Sequence, residues 1–90
     1  MKVLLLMKST HDAPTLARAA LVRQVTHRLR RSGELIDGDV LGAPPHSSPF
    51  VAAFWLVDCH DLARALEIAA GIPCHAVEVR PVMRPPGEEM

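Results

Sequence analysis

The chain reads as one small α+β domain in the order βαββαβ, and three observations predict it. Strand-like apolar runs alternate with two segments of helical period. Gly or Pro falls at most of the boundaries between them. The last run, Val77-Glu78-Val79-Arg80-Pro81-Val82-Met83, alternates with period two, so Val77 and Val79 face one way and Glu78 and Arg80 the other.

Val3 to Met7 is apolar on both faces and reads as a central strand. Residues 9–14 form a turn, with Pro14 in the first turn of a helix and Asp12 or Ala13 near its cap. That helix runs to about Ser32 on the stripe Leu21, Val22, Val25 and Leu29. Arg30 and Arg31 suit its C-terminal dipole, and Gly33 is placed to end it. Leu35 to Leu41 is a weaker strand holding Asp37, Gly38 and Asp39, and residues 42–49 are a loop by composition. In the third strand, Phe50 to Val57, Phe54 and Leu56 face one side and Trp55 and Val57 the other. Asp58 or Asp61 caps a second helix through Ala70, with the stripe Leu62, Ala65, Leu66 and Ala69. Gly71 and Pro73 end it, and Ala76 to Met83 is the fourth strand. Residues 1–83 are thus expected to form the domain, and 84–90 a loose tail.

This order gives a four-stranded antiparallel sheet with two helices on one face, the ferredoxin-like arrangement. Two helices cover one face only, yet the first and third strands are apolar on both. Leu4, Leu6 and one row of the third strand would stay wet, which a second copy packed sheet to sheet would remedy. A homodimer is therefore the expected assembly, with a heteromeric partner as the rival.

Totals narrow the classes. The 90 residues are 49% apolar and carry ten basic and ten acidic side chains, a balance that argues against nucleic acid as a partner. Residues 1–34 hold seven basic and two acidic residues, and 35–90 hold three and eight. Solvated faces account for that skew, or else a basic helix docking on an acidic partner. The two cysteines read as free thiols of a cytoplasmic protein. No run reaches membrane-spanning length, and the apolar start is too short for a signal peptide.

Cys59-His60 and Cys74-His75 invite a zinc reading, but they sit at opposite ends of the second helix, roughly 15 Å apart. No metal and no cofactor is expected. Cys59, near a helix N-terminus, reads as a small buried thiol rather than a nucleophile, and Asp58 and Asp61 as capping residues. His11, His27 and His46 read as solvated. Arg18 lies on the apolar stripe and either snorkels out or reaches a polar cavity between helix and sheet. Asp37, Glu78 and Arg80 are charges within strands. They form cross-strand ion pairs or the polar floor of an apolar site with Trp55 as a wall. Arg18, Asp37, Trp55, Glu78 and Arg80 are the candidate ligand-binding residues.

Leu29-Arg30-Arg31-Ser32-Gly33-Glu34-Leu35-Ile36-Asp37-Gly38 is similar to the helix end and second strand of the YCII-related proteins, in their DGPF-domain branch. Phe54-Trp55-Leu56-Val57, Asp61-Leu62, Ala65-Leu66-Glu67, Ile72-Pro73 and the closing strand continue the match in order. The resemblance implies a dimeric α/β barrel of ferredoxin-like protomers. Some relatives resemble partners of alternative sigma factors, and a few look like small enzymes. The chain departs from the branch in two ways. The Asp-Gly-Pro-Phe segment is shortened away, leaving Ser48-Pro49-Phe50. The His and Asp of the enzyme-like relatives fall near Val22 and at Ile72, neither of which moves a proton. The expectation is a small-molecule-binding or regulatory dimer, leaning away from catalysis. The alternatives are a cofactor-free enzyme acting on a small polar molecule, or an interaction module serving a sigma factor.

Overall fold

In the computed structural model the described residues are 1–83, and the expected tail at 84–90 lies outside them. The elements are β1 (Lys2–Ser9), α1 (Thr15–Ser32), β2 (Leu35–Val40), β3 (Phe50–Asp58), α2 (Leu62–Ala70) and β4 (Ala76–Pro81). All strand pairs are antiparallel, in the order β2-β3-β1-β4, so the ferredoxin-like βαββαβ expectation holds.

The core lies between the sheet and the helices. Val3, Leu5 and Met7 of β1 and Trp55 and Val57 of β3 are buried, packed with Val22, Val25 and Leu29 of α1, Ala65 of α2 and Ile72. Val77 and Val79 of β4 join its margin. The other face of the sheet carries Leu4, Leu6, Phe54 and Leu56, all only half-buried. Period two along two central strands thus sorts one apolar set against helices and leaves the second uncovered.

Helix α1 begins one residue later than the Pro14 signal implied. Pro14 is its N-cap in extended conformation, with no side-chain cap. Its end is as expected: Gly33 adopts φ 78°, and the Gly33 and Glu34 amides bond back to the Arg30 and Leu29 carbonyls. Asp61, not Asp58, caps α2, accepting the Arg64 amide at 2.9 Å. Gly71 stays right-handed, so Pro73 and the Cys74 turn redirect the chain without a left-handed glycine.

The apolar stripe of α2 is rotated from the expected one. Only Ala65 is buried, Ile68 packs beside it, and Leu62 and Leu66 are exposed. The rotation brings Arg64 to Glu34, whose carboxylate accepts from Nε at 3.0 Å and Nη2 at 2.8 Å. This fork anchors α2 to the start of β2. Strand β4 stops at Pro81 rather than Met83 because its partner β1 starts at Lys2, so the ladder ends at Val3–Pro81. A proline there is tolerated, since β4 is an edge strand.

Candidate functional site

The five residues singled out from the sequence do not form one site. Asp37 is paired with Leu56, Arg80 with Leu4 and Glu78 with Leu6. All three therefore lie on the face away from the helices. Asp37 and Arg80 occupy the two outermost strands, three inter-strand spacings or roughly 14 Å apart. That separation rules out an ion pair between them within one chain.

Trp55 belongs to the opposite layer. It is fully buried under α1, where its indole N–H donates to Thr26 Oγ1 at 3.0 Å. It cannot be the wall of a site floored by Glu78 and Arg80, because strand alternation turns it the other way. Val22 and Ile72, near and at which the family resemblance would put the dyad, are buried core residues.

Arg18 lies at a cavity of its own. About 310 Å³ of space opens between the end of β1, the first turns of α1 and the connection that leads into β4. Met7 and Leu21 give it an apolar wall, and Ser9, Arg18, Cys74 and His75 the polar groups. Alanines at 13 and 17 leave the space that larger side chains would fill. The architecture brings these residues together: β1 hands over to α1 at this end, and β4 starts beside it, with Ala76 paired to Lys8.

Arg18 is held from several sides. Nη1 donates to the Thr10 carbonyl and Nη2 to Thr15 Oγ1, both at 3.3 Å. The guanidinium sits 5.3 Å from the centre of the Phe50 ring. His11 packs on the same ring, with centroids 4.8 Å apart, and its Nε2 donates to the Ser47 carbonyl at 2.8 Å. His11 is solvent-exposed, as expected, and its ring also ties two loops together. A guanidinium has five N–H donors, and the two bonds described here leave donors free for a ligand.

The Cys74 thiol donates to the Ala76 carbonyl at 3.4 Å, and burial pushes its pKa up. It is therefore a neutral thiol at neutral pH and a poor nucleophile. Cys59 is buried on the far side of α2, its thiol bonded to the Asp61 carbonyl at 3.3 Å. Among the described residues no group of three His, Cys, Asp or Glu side chains could hold a metal ion. No described helix is long and apolar enough to cross a membrane.

The reading from sequence weighed Cys74 and His75 as metal ligands and missed them as cavity lining. The signal was available in principle: in this strand order, residues just before β4 must lie beside the end of β1.

No protein-family model and no curated relative matches the chain. Among solved structures it is similar to 5-chloro-2-hydroxyhydroquinone dehydrochlorinase from Burkholderia phenoliruptrix AC1100, in complex with 2,5-dihydroxybenzoquinone. The TM-score is 0.65 at 14% identity, over 94% of this chain and 96% of that one. At that identity the likeness carries the fold: the chain is a ferredoxin-like α+β protein along nearly its whole length.

Proposed function

We propose that this chain is a small-molecule-binding protein of the YCII-related type, working as a homodimer, with its ligand in the Arg18 cavity. One observation carries the reading: a cavity of about 310 Å³, largely apolar, lined by the braced Arg18. A few polar groups in an apolar pocket of this size suit a small organic molecule. The single cation among them favours an acidic one, held by charge-assisted bonds. The fold neighbour is a complex with a small hydroxyquinone, which makes 2,5-dihydroxybenzoquinone a reasonable first probe.

Binding is preferred to catalysis because the cavity's thiol is held neutral and the positions of the relatives' dyad are apolar. A cofactor-free enzyme is the second reading. Its support is the His75 imidazole on the cavity wall and the enzyme activity named for the fold neighbour.

Calorimetric titration with 2,5-dihydroxybenzoquinone tests the site. The expected result is saturable binding at one molecule per protomer, weakened by about tenfold in Arg18→Met, which keeps the stem but removes the charge. Equal affinity in the variant and the parent would sink the assignment. Loss of the quinone absorbance over many turnovers would promote the enzyme reading.

A further inference from the structure

The basic skew of the first 34 residues is not explained by the Arg18 cavity. It concentrates on α1, and two of its arginines line a second opening. Between α1 and β2 lies a cleft of about 480 Å³, bounded by Val22, Arg23, Thr26, Arg30, Gly38 and Val40 among others. The cleft exists because Gly38 stands where a strand residue would project under the helix. A Cβ there would lie 2.8 Å from both the Phe54 carbonyl oxygen and Trp55 Cδ1.

Arg23 and Arg30 are seven residues apart, roughly 10 Å along the helix and on the same side of it. Neither makes an ion pair with a described residue. Thr26 sits between them in the sequence. Its Oγ1 already accepts the Trp55 indole N–H, so its own proton is left to donate. Asp39, the one acid beside the cleft, is paired with Phe54 and so turns its side chain toward the opposite face of the sheet, where it accepts the Val40 amide at 2.8 Å. The cleft therefore offers two unpaired guanidinium forks and a polarised hydroxyl.

We infer that the cleft between α1 and β2 binds a phosphate ester, with Arg23 and Arg30 as phosphate clamps and Thr26 as a third donor. The forks match phosphate geometry. This site is separate from the Arg18 cavity and independent of what that cavity binds.

Ribose 5-phosphate is the probe, with ribose as its uncharged control, followed by calorimetry and by backbone amide shifts. The sugar phosphate is expected to bind where ribose does not, with shifts gathered at residues 38–40. Arg23→Gln and Arg30→Gln should each weaken it by about tenfold. Both positions are solvent-exposed, so the unfolding midpoint should stay in place. Arg28→Gln removes the same charge outside the cleft and should leave affinity unchanged. An equal loss in the Arg28 variant, absent binding, or shifts centred on residues 9–18 would each overturn the site. So would a glutamate-rich peptide that binds α1 and is not displaced by ribose 5-phosphate, because that result assigns the basic face to a protein partner. None of these outcomes bears on binding of the quinone at Arg18.

Discussion

Gly38 is the residue on which two adjoining features depend. It lets Trp55 rise to its hydrogen bond with Thr26, and it keeps the cleft beside α1 open. Gly38→Ala would place a methyl 2.8 Å from a backbone oxygen and an indole carbon, in a sheet that has little room to move. The expected cost is about 1–3 kcal/mol of folding stability. Urea unfolding followed by the fluorescence of Trp55, the chain's one tryptophan, measures it. An unchanged midpoint would mean that β2 is looser at this point than its register implies. Nothing in the sequence singled out this glycine, because a glycine inside a strand pattern looks the same whether it marks weakness or close approach.

Among the elements, α2 shows what period alone can and cannot fix. Its length and its Asp61 cap were legible from residue types at fixed offsets. Its buried face was not, because Leu62 and Leu66 fall on a helical stripe as regular as that of Ala65 and Ile68, which face the core. The fork from Arg64 to Glu34, thirty residues away in sequence, accompanies the turn. Local pattern carries no information about such a partner. The pair has a pH signature. The Arg64 hydrogen bonds hold the Glu34 carboxyl below its ordinary value, against an opposing effect of partial burial. A depressed native pKa adds stability that is fully present above the unfolded value and is lost as pH falls through the folded one. Glu34→Gln should therefore be less stable than the parent at neutral pH, and the difference should fade in acid. Denaturant midpoints across that range check it, and a gap that persists in strong acid would assign the loss to packing instead.

On the scale of the whole molecule, the fold and the two-faced sheet were readable from alternation in β1 and β3. The candidate site was readable only in part. Arg18 sits at a cavity, whereas Trp55 was grouped with residues from the opposite layer. Charges at period two reveal a shared face, but not whether that face holds a pocket. Under the proposed homodimer, Leu4, Leu6, Phe54 and Leu56 form the contact and Glu78 and Arg80 its margin. Leu6→Asp should convert the dimer to a folded monomer, as light scattering behind a sizing column would show. A parent that runs as a monomer at micromolar concentration would end the proposal. Arg80→Ala, by the same placement, should loosen the dimer and spare quinone binding.

The free edge of β2 bears on how far such association can go. Antiparallel alternation turns the Gly38 and Val40 amides outward from the sheet. Asp37 and Asp39 each fold back to accept the next residue's N–H, both at 2.8 Å. Two donors that another strand would need are therefore already taken, and two negative charges stand beside them. In the proposed dimer copies meet face to face, and this edge discourages them from continuing the sheet sideways. Face-to-face pairing consumes its surface and stops at two, whereas edge-to-edge pairing would regenerate an edge at every step. The small acids of β2 thus favour a countable particle over a growing ribbon.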